Sequence, residues 1–267
     1  MLWDTHMHTG YSGDSDAAPE DMIKAALAKG LDGLCFTDHY DYDYPDDPKL
    51  FLLDVSSYKE EIFSLRQKYE GLIPVRWGIE IGLQPQIVDF NQKIVSSHPF
   101  DFVIGSSHVV HGIDPYYPTY YEGRDEDNAY REYFESILEN LHTDADFDVY
   151  GHLDYVVRYG PNRNRFYSYK KFSDVIDEIL RTLIQKGKGI EINTAGFKYG
   201  LGHPNPTEEI LLRYRELGGE ILTIGADAHA PEHVAYAFEQ LPSILRNAGF
   251  RYYCVFTERI PQFLPLL

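Results

Sequence analysis

Short apolar runs alternate along this chain with longer stretches in which apolar residues recur at helical spacing. Most of the short runs end in a polar turn that carries His, Asp or Glu. The short runs predict strands at residues 2–8, 33–37, 75–81, 102–106, 148–150, 189–193 and 221–225, with a further strand at 252–256. The longer stretches predict helices at residues 17–29, 55–69, 87–95, 128–141, 172–185, 207–217 and 234–248.

The helix predicted at residues 17–29 carries the local signals on which these assignments depend. Pro19 lies near its start, where a backbone N–H would have no partner within the helix, and Gly30 follows its end. Ile23 and Ala26 are three residues apart and therefore share a face.

Alternating strands and helices of these lengths predict parallel strands joined by helical crossovers. Two folds fit this order, an open doubly wound sheet and a closed barrel. An open sheet gathers its polar groups at one crevice, whereas a barrel collects them at one mouth from the C-terminal ends of many strands. Because nearly every predicted strand ends in a potential metal ligand, the sequence favours the barrel.

Composition and charge narrow the class of protein and its partners. The chain has 267 residues, 43% of them hydrophobic, and no linker or repeat divides it, so we expect a single domain over residues 1–267. Its 24 basic and 42 acidic residues give a net charge of −18. Such an acidic surface repels nucleic acid and anionic membranes, so we expect neither as a partner.

Targeting signals and cysteine usage favour a cytoplasmic location. No apolar run reaches the roughly 20 residues that a membrane helix needs, and a basic-then-apolar leader is not present at the N-terminus. Cys35 and Cys254 both lie in strand-like apolar runs, so we expect them to be buried thiols in a reducing compartment.

Potential metal ligands are concentrated at the ends of the predicted strands. In chain order they are His6, His8, Asp38, His39, Glu80, His108, His152, Asn193, Asp227 and His229. Six of the 11 histidines fall at these positions, a repetition that isolated core or surface histidines do not explain. We interpret the other five as structural or solvated: His98, His111, His142, His203 and His233.

The spacing of these residues suits a cluster of metal ions. His6 and His8 are one residue apart, so in a strand they project from the same face, and Asp227 and His229 repeat that spacing. Asp14 lies in a loop short enough to fold over the same mouth. These positions supply six histidines and three carboxylates, and neutral imidazole with carboxylate suits zinc, iron or manganese.

Nine potential ligands are too many for one tetrahedral ion, but they fill three sites if Glu80 bridges two of them. The sequence therefore predicts up to three divalent metal ions, Zn, Mn or Fe. Metal ions that share a bound water lower its pKa to about neutrality, which favours hydrolytic chemistry.

Six motifs containing these residues follow one another along the chain: Asp4-Thr-His-Met-His-Thr9, Phe36-Thr-Asp-His39, Gly78-Ile-Glu80, Gly105-Ser-Ser-His108, Gly151-His-Leu-Asp154 and Gly225-Ala-Asp-Ala-His229. They resemble, in family order, the motifs of the PHP (polymerase and histidinol phosphatase) superfamily. Residues 151–161 and 191–194 resemble its stand-alone histidinol-phosphate phosphatase branch. The resemblance implies a distorted, TIM-like (β/α) barrel of seven strands with a trinuclear metal site at its C-terminal mouth.

The resemblance also implies how the ligands are shared. The first metal would be held by His6, His8, Glu80 and Asp227, the second by Glu80, His108 and His152, and the third by Asp14, His39 and His229. Some members have His at the position of Asp14. The carboxylate of Asp14 is a harder ligand than His, so it would weaken the third site or favour Mn or Fe over Zn there. We expect Asp38 to point away from the metals and Asp154 to orient a ligand.

Basic residues are expected on the substrate phosphate. The resemblance assigns Arg158 this role, for which a guanidinium fork is suited, with a surface salt bridge as the alternative. Some relatives carry Arg where this chain has Ala195, and Lys198 is the next basic residue that would replace it. Arg163 and Arg165 are further candidates from the same loop region.

The implied activity is phosphomonoester hydrolysis, with L-histidinol phosphate as the expected substrate, a metal-bridging hydroxide as nucleophile, and Glu80, Asp227, His229 and Arg158 in the catalytic site. Water on the third metal or an outer histidine such as His111 would protonate the leaving group. Tyrosines of the segment 116–121 would form an aromatic lid over an imidazole, although they would stack on a purine equally well.

Three alternatives remain open from the sequence. The same chemistry would serve another small substrate, namely a nucleotide, a sugar phosphate or a phosphodiester. An amidohydrolase-type barrel also begins with His-x-His, but it requires a bridging Lys where this chain has Ser107-His108. A non-catalytic metal-binding or polymerase-accessory module is disfavoured because all nine ligand positions are filled. The sequence leaves the oligomeric state undetermined.

Overall fold

The computed structural model describes residues 1–45 and 47–266 and contains a nearly closed barrel of parallel strands. The barrel strands are β1 Trp3–Asp4, β2 Gly33–Phe36, β4 Val75–Gly82, β5 Phe102–Ser106, β6 Val149–Tyr150, β7 Gly189–Asn193 and β8 Leu222–Gly225, with the short β3 His39–Tyr40 beside β4. They pair in the order β1-β2-β4-β5-β6-β7-β8, and Thr5 N–H donates to the Ile224 carbonyl (2.9 Å) to bring the two ends together. The predicted seven-stranded (β/α) barrel is confirmed.

Helices connect the strands in the alternation that the apolar pattern predicts. They are α1 Pro19–Ala28, α2 Val55–Lys68, α3 Val88–Ser97, α4 Glu126–Leu141, α5 Ser173–Gln185, α6 Ala195–Lys198, α7 Glu208–Glu216 and α8 Leu241–Asn247. In α5 the apolar residues recur at helical spacing, so that one face packs on the barrel. Val175, Ile176, Ile179 and Leu183 of that face are buried. Within the described residues, no helix is both long and apolar enough to cross a membrane.

The helix predicted at residues 234–248 is wrong in its first half. The structure has short 3₁₀ turns at Pro231–His233 and Phe238–Gln240, and the α-helix begins only at Leu241. Ala235 adopts a positive φ of 50°, and its N–H donates to the buried Asp4 carboxylate (2.8 Å) rather than to a helical carbonyl. Tertiary contacts therefore override the local helical pattern.

The two ends of the chain also differ from the prediction. The first strand was predicted at residues 2–8, but only Trp3–Asp4 pairs as a regular strand. Beyond it the chain still runs beside the segment after β8, as the hydrogen bond from His8 N–H to the Ala228 carbonyl (2.8 Å) shows. The predicted last strand exists as β9, Tyr252–Thr257, and it forms an antiparallel hairpin with β10, Ile260–Pro265, which the sequence analysis missed.

A second apolar cluster lies apart from the main core and involves both cysteines. Cys254 and Phe256 of β9 pack with Cys35, Phe102, Ile104 and Val149 of the barrel strands. Phe102 is the first residue of β5, so this cluster lies toward the N-terminal ends of the strands. Both thiols are free and buried, as predicted. The polar groups gather at the opposite ends of the strands.

Candidate metal and phosphate site

A cavity of about 470 Å³ opens where the C-terminal ends of the strands meet. Its lining includes six of the predicted metal ligands and two of the predicted phosphate-binding residues: Asp14, His39, His108, His152, Asp227, His229, Arg158 and Lys198. His6, His8 and Glu80 lie directly beneath and are fully buried. The structure therefore brings all nine predicted ligands to one end of the barrel.

Glu80 lies between two sets of histidines, and each of its carboxylate oxygens faces one set. Oε2 is 3.2 Å from His6 Nε2 and 3.5 Å from His8 Nε2. Oε1 is 3.0 Å from His152 Nε2 and 3.4 Å from His108 Nε2. A carboxylate so placed can contribute one oxygen to each of two neighbouring metal ions.

The ligand atoms group into clusters of metal-binding size. His6, His8 and Glu80 form one cluster and Glu80, His108 and His152 another, with all ligand atoms of a cluster within 4.8 Å of one another. These clusters overlap the first two ligand sets that the family resemblance implies. Asp227 Oδ1 adjoins the first cluster, 3.5 Å from His8 Nε2.

The third ligand set lies at the rim of the cavity. Asp14 Oδ2 is 3.1 Å from His229 Nε2 and 3.7 Å from His39 Nε2. His39 and His229 also cluster with His8, which stacks between them with ring centroids 4.1 Å from each. The Asp14 side chain is 43% exposed, so this set is the most accessible to solvent.

Two of the predicted histidine ligands are oriented by hydrogen bonds from the ring nitrogen that faces away from the cluster. His6 Nδ1–H donates to Glu191 Oε1 (2.6 Å), and His108 Nδ1–H donates to Asp41 Oδ1 (2.8 Å). Carboxylate partners of this kind fix the tautomer and ring plane of a metal-ligating histidine. Sequence analysis did not single out Glu191 or Asp41 for this role.

Asp38 acts on the cluster indirectly, in agreement with its predicted orientation away from the metals. Its carboxylate accepts from Ser12 Oγ–H (2.8 Å) and from the Thr9 backbone N–H (2.6 Å). Ser12 Oγ lies 3.1 Å from His8 Nδ1. Asp38 therefore fixes the position of Ser12, whose hydroxyl contacts Nδ1 of His8.

Two of the predicted ligands have a strained backbone conformation. His152 has a φ of +24° and Asp227 a φ of +52°, a region that residues with a side chain seldom occupy. Each lies two residues beyond the end of a barrel strand, and both side chains are turned into the ligand cluster. Such strain is commonly retained where a function requires it.

Charged neighbours favour the protonated form of His6 and the ionised form of Glu80, whereas burial lowers the pKa of His8 and of His152. Burial opposes protonation of His6, but the carboxylates of Glu191 and Glu80 raise its pKa well above the usual value. Burial likewise disfavours the charged form of Glu80, but His6 and His108 lower its pKa well below the usual value. Because metal ions need these imidazoles in their neutral form, protons and metals compete for the cluster.

Unpartnered polar atoms also indicate that the donor set suits cations. Asp41 Oδ2 and His152 Nδ1 are buried and have no hydrogen-bond partner, and His39 Nδ1 lies 3.1 Å from Glu80 Oε2 and 3.6 Å from Asp41 Oδ2. Leaving such atoms unsatisfied costs about 1–3 kcal/mol each. Imidazoles and carboxylates in this number fit zinc, manganese or iron.

Arg158 is buried at the edge of the metal ligands, with only 3% of its surface exposed. Its guanidinium donates from Nε to Asn205 Oδ1, from NH1 to Asp227 Oδ2 and from NH2 to Asn193 Oδ1, each at 2.9 Å. Arg158 therefore forms a buried ion pair with Asp227. It does not form the surface salt bridge that the sequence analysis gave as the alternative to phosphate binding. Burial opposes the charge, but Asp227 raises the pKa of the guanidinium above its usual value.

Of the other three basic candidates, one lies in the cavity and two lie outside it. Lys198 lines the cavity, its Nζ lies 3.3 Å from the Asp227 carbonyl, and burial lowers its pKa. Arg163 and Arg165 are exposed and are not part of the lining; Arg163 donates to the Tyr199 carbonyl (3.0 Å). The structure thus leaves Lys198 as the candidate beside Arg158.

Two expected supporting roles do not match the structure. His111 lies on the surface between Glu132 and Glu139 of α4 and does not line the cavity, so it is not placed to protonate a leaving group. Asp154 accepts from Asn205 Nδ2–H (2.6 Å) rather than from His152, so it does not orient that metal ligand directly. In both cases the partner comes from a distant part of the chain.

Aromatic residues and the buried Asp114 form another part of the cavity lining. Tyr116 and Tyr117 of the predicted lid segment line the cavity, whereas Tyr120 and Tyr121 are buried in the core. Asp114 lies in the same lining and accepts hydrogen bonds from the hydroxyls of Tyr44 (2.7 Å) and Tyr155 (3.3 Å). Tyr159, Tyr199, Phe51 and His233 complete this part of the lining.

Comparison with known proteins supports the motif analysis over nearly the whole chain. The PHP domain family model matches residues 4–195. The chain is 31% identical over 258 residues to a histidinol-phosphatase of Lactococcus lactis, covering 95% of this chain and 94% of that protein. It is 32% identical over 254 residues to a probable histidinol-phosphatase of Clostridium acetobutylicum, covering 94% and 95%.

Solved structures agree with this placement. The fold matches that of histidinol phosphate phosphatase from Lactococcus lactis, crystallised with zinc, L-histidinol and phosphate, with a TM-score of 0.91, 30% identity and 98% of each chain covered. A putative histidinol phosphatase from Listeria monocytogenes shares the fold with a TM-score of 0.78 at 17% identity, covering 89% of this chain and 99% of that one. The chain belongs to the PHP domain family.

Proposed function

We propose that the protein is a metal-dependent phosphatase that hydrolyses L-histidinol phosphate to L-histidinol and phosphate, a step of histidine biosynthesis. The observation that carries the proposal is Glu80, whose two oxygens face separate histidine sets at the cavity that Arg158 also lines. The likeness to a histidinol phosphate phosphatase crystallised with zinc, L-histidinol and phosphate supports the choice of substrate. We propose that residues 1–267 act as one domain, since β8 returns to β1 to close the barrel.

The chain would hold up to three divalent ions in the ligand sets described above. His6, His8, Glu80 and Asp227 would hold the first, Glu80, His108 and His152 the second, and Asp14, His39 and His229 the third. Such ions supply a hydroxide nucleophile near neutral pH and positive charge for the phosphate oxygens. Zinc is favoured by the related structure, and Mn or Fe suit the same donors.

Arg158 and Lys198, which line the cavity together with the predicted metal ligands, would bind the phosphate group. A guanidinium has five N–H groups, and the protein uses three of those of Arg158, which leaves two for phosphate oxygens. Asp227 links the two halves of the site, because Oδ1 faces His8 while Oδ2 accepts from Arg158. In the hydrolysis a bond forms between the water oxygen and phosphorus, and the bond between phosphorus and the ester oxygen breaks. The ester oxygen takes up a proton and leaves as the alcohol.

The remainder of the cavity suits a cationic, aromatic alcohol. The Arg158 guanidinium carbon lies 5.6 Å from the ring centre of Tyr155, and the hydroxyl of that ring donates to Asp114. A substrate with phosphate at Arg158 would therefore extend along Tyr155 toward a carboxylate. L-Histidinol carries an amine and an imidazole, which a carboxylate and tyrosine rings can receive.

Phosphate release from a panel of substrates tests the proposal. L-Histidinol phosphate, AMP, a sugar phosphate and p-nitrophenyl phosphate are compared with Zn, Mn and Fe supplied in turn. We expect kcat/KM for L-histidinol phosphate to exceed the others by at least about a hundredfold, a difference of roughly 2.7 kcal/mol in transition-state binding. Even activity on all four, or a preference for AMP, would contradict the proposed substrate.

A further inference from the structure

A continuous set of buried hydrogen bonds lies behind Arg158, on the side away from the cavity. Nε of Arg158 donates to Asn205 Oδ1 (2.9 Å), and Asn205 Nδ2–H donates to Asp154 Oδ1 (2.6 Å). Asp154 and Asn205 are fully buried, and neither lines the cavity. Asn205 therefore contacts the guanidinium without access to a ligand.

The Asp154 carboxylate determines which way the Asn205 amide faces. Asp154 Oδ2 accepts from the backbone N–H of Thr207 (3.1 Å), which leaves Oδ1 to accept from Asn205. An ionised carboxylate only accepts hydrogen bonds, so the amide must present its nitrogen to Asp154 and its oxygen to Arg158. The Arg158 guanidinium thus meets an acceptor whose orientation is fixed.

The backbone holds the two amides that flank Arg158 at a fixed separation. Asn193 and Asn205 exchange two backbone hydrogen bonds, each of 2.8 Å, and each side chain accepts from a different nitrogen of Arg158. The turn after Asn193 packs so closely on this loop that a Cβ on Gly196 would lie 2.3 Å from the His203 carbonyl oxygen. Tyr199, with its ring centre 5.0 Å from the guanidinium carbon, also restricts the plane of the group.

We propose that Asn205 is a positioning residue that fixes the fork of Arg158 for binding a phosphate group, with Asp154 setting the amide orientation. The inference rests on the proposed function, because it takes the ligand of Arg158 to be phosphate. Removing the Asn205 side chain leaves Nε without its acceptor and allows the fork to rotate away from the cavity. The effect should fall on phosphate binding and leave the metal ligands intact.

The test uses the zinc-loaded full chain with inorganic phosphate as a competitive inhibitor of p-nitrophenyl phosphate hydrolysis. For Asn205→Ala we expect the inhibition constant of phosphate and the KM to rise about tenfold, while kcat changes less than about threefold and bound zinc is unchanged. The paired variant Asn205→Asp with Asp154→Asn exchanges donor and acceptor with little change in shape. It restores every hydrogen bond of the set, so its phosphate constant should return to within about twofold of wild type.

Arg158→Lys, which keeps the charge and loses the fork, separates this inference from the proposed function. If Arg158→Lys leaves the inhibition constant of phosphate unchanged, the phosphate role of Arg158 itself is wrong. If Arg158→Lys raises it and Asn205→Ala does not, only the positioning role of Asn205 is overturned. Should Asn205→Ala fail to fold, Asp154→Asn alone decides, because its NH2 group makes the Asn205 amide turn its nitrogen toward Arg158 Nε: a tenfold rise in the phosphate constant supports the inference, and a constant within twofold of wild type overturns it.

Discussion

The Nδ1–H of His6 donates to Oε1 of Glu191 across 2.6 Å, and both side chains are fully buried. The bond leaves Nε2 of His6 facing Glu80 Oε2 at 3.2 Å, where a metal ligand is needed. Gly225 makes the contact possible, since a Cβ there would lie 2.2 Å from Glu191 Oε1 and 2.4 Å from His6 Cβ. A single carboxylate outside the predicted ligand set therefore determines how His6, the first predicted ligand, is oriented.

Glu191→Gln should weaken metal binding without unfolding the chain. The amide can occupy the same space, but its NH2 group then faces an N–H donor, either that of His6 Nδ1 or those of the His152 backbone and Asn193 Nδ2, and it no longer raises the basicity of the His6 ring. We expect zinc affinity to fall about 10- to 100-fold, measured by competition with a chromophoric chelator. Glu178→Gln, on the exposed face of α5, is the control and should bind zinc as wild type does. Equal zinc affinity in the two variants would contradict the role assigned to Glu191.

His108→Ala should abolish phosphatase activity while leaving the fold largely intact. His108 Nε2 faces Glu80 Oε1, so its loss removes one ligand of the second set, while the apolar core is unaffected. Activity on p-nitrophenyl phosphate and bound zinc are measured together, and His142→Ala, at the exposed end of α4, is the matched control. Near-wild-type turnover with full metal content would show that the second set is wrongly assigned.

Asp114→Asn should change substrate preference more than it changes catalysis. If Asp114 receives a positive group of the substrate, its neutral amide loses the charge but keeps the shape of the cavity. We expect KM for L-histidinol phosphate to rise about tenfold, with kcat/KM for p-nitrophenyl phosphate within about twofold of wild type. The exposed Asp144→Asn serves as control. A parallel loss on both substrates would instead indicate a structural role for Asp114.

His111 should make a pH-dependent contribution to stability, apart from the active site. Hydrogen bonds from its ring to Glu139 and Glu132 raise its pKa, so the folded state favours the imidazolium. The stabilisation is fully present below the unfolded pKa of about 6.5 and is lost as pH rises through the higher folded value. Because the side chain is half exposed, we expect His111→Gln to lower Tm by only about 1–3 °C at pH 5.5.

The same comparison at pH 9 should give a much smaller difference in Tm between wild type and His111→Gln. His142→Gln, at the exposed end of α4, controls for the loss of a surface histidine. A difference in Tm that grows with pH would have the wrong sign for an imidazolium held by two carboxylates.

The barrel and its ligand positions could be predicted because both depend on local patterns. Short apolar runs alternate with helical ones, and the C-terminal ends of parallel strands meet at one mouth. The spacing of His6 and His8 indicates a shared face before any contact is known. The structure places all nine predicted ligands at that mouth, and the clusters around Glu80 follow from its position on β4.

Partners of the ligands could not be predicted, because they join residues far apart in the chain. Asp41 accepts from His108, 67 residues away, and Glu191 from His6, 185 residues away. A signal for Glu191 was present, since a carboxylate inside the apolar strand Gly189–Asn193 must find a buried partner. The neighbouring Asn193 carries the same signal.

The error at residues 234–248 has a local cause that the apolar pattern concealed. Pro242 lies within the predicted helix, where it would remove a backbone hydrogen bond, and in the structure it occupies the first turn of α8 instead. The residues before it form irregular turns because Asp4, at the other end of the chain, binds the backbone N–H of Ala235. The spacing of apolar residues alone predicts neither the effect of Pro242 nor the hydrogen bond between Asp4 and Ala235.

Titration of the metal-free protein with zinc, followed by release of phosphate from L-histidinol phosphate, tests the account most directly. If Glu80 joins two metal sites, the metal-free protein is inactive and activity rises steeply only as the second equivalent of zinc binds. Glu80→Gln should then bind less zinc and remain inactive at every zinc concentration. Full activity at one equivalent, or turnover by the metal-free protein, would contradict a bridged metal centre at the mouth of the barrel.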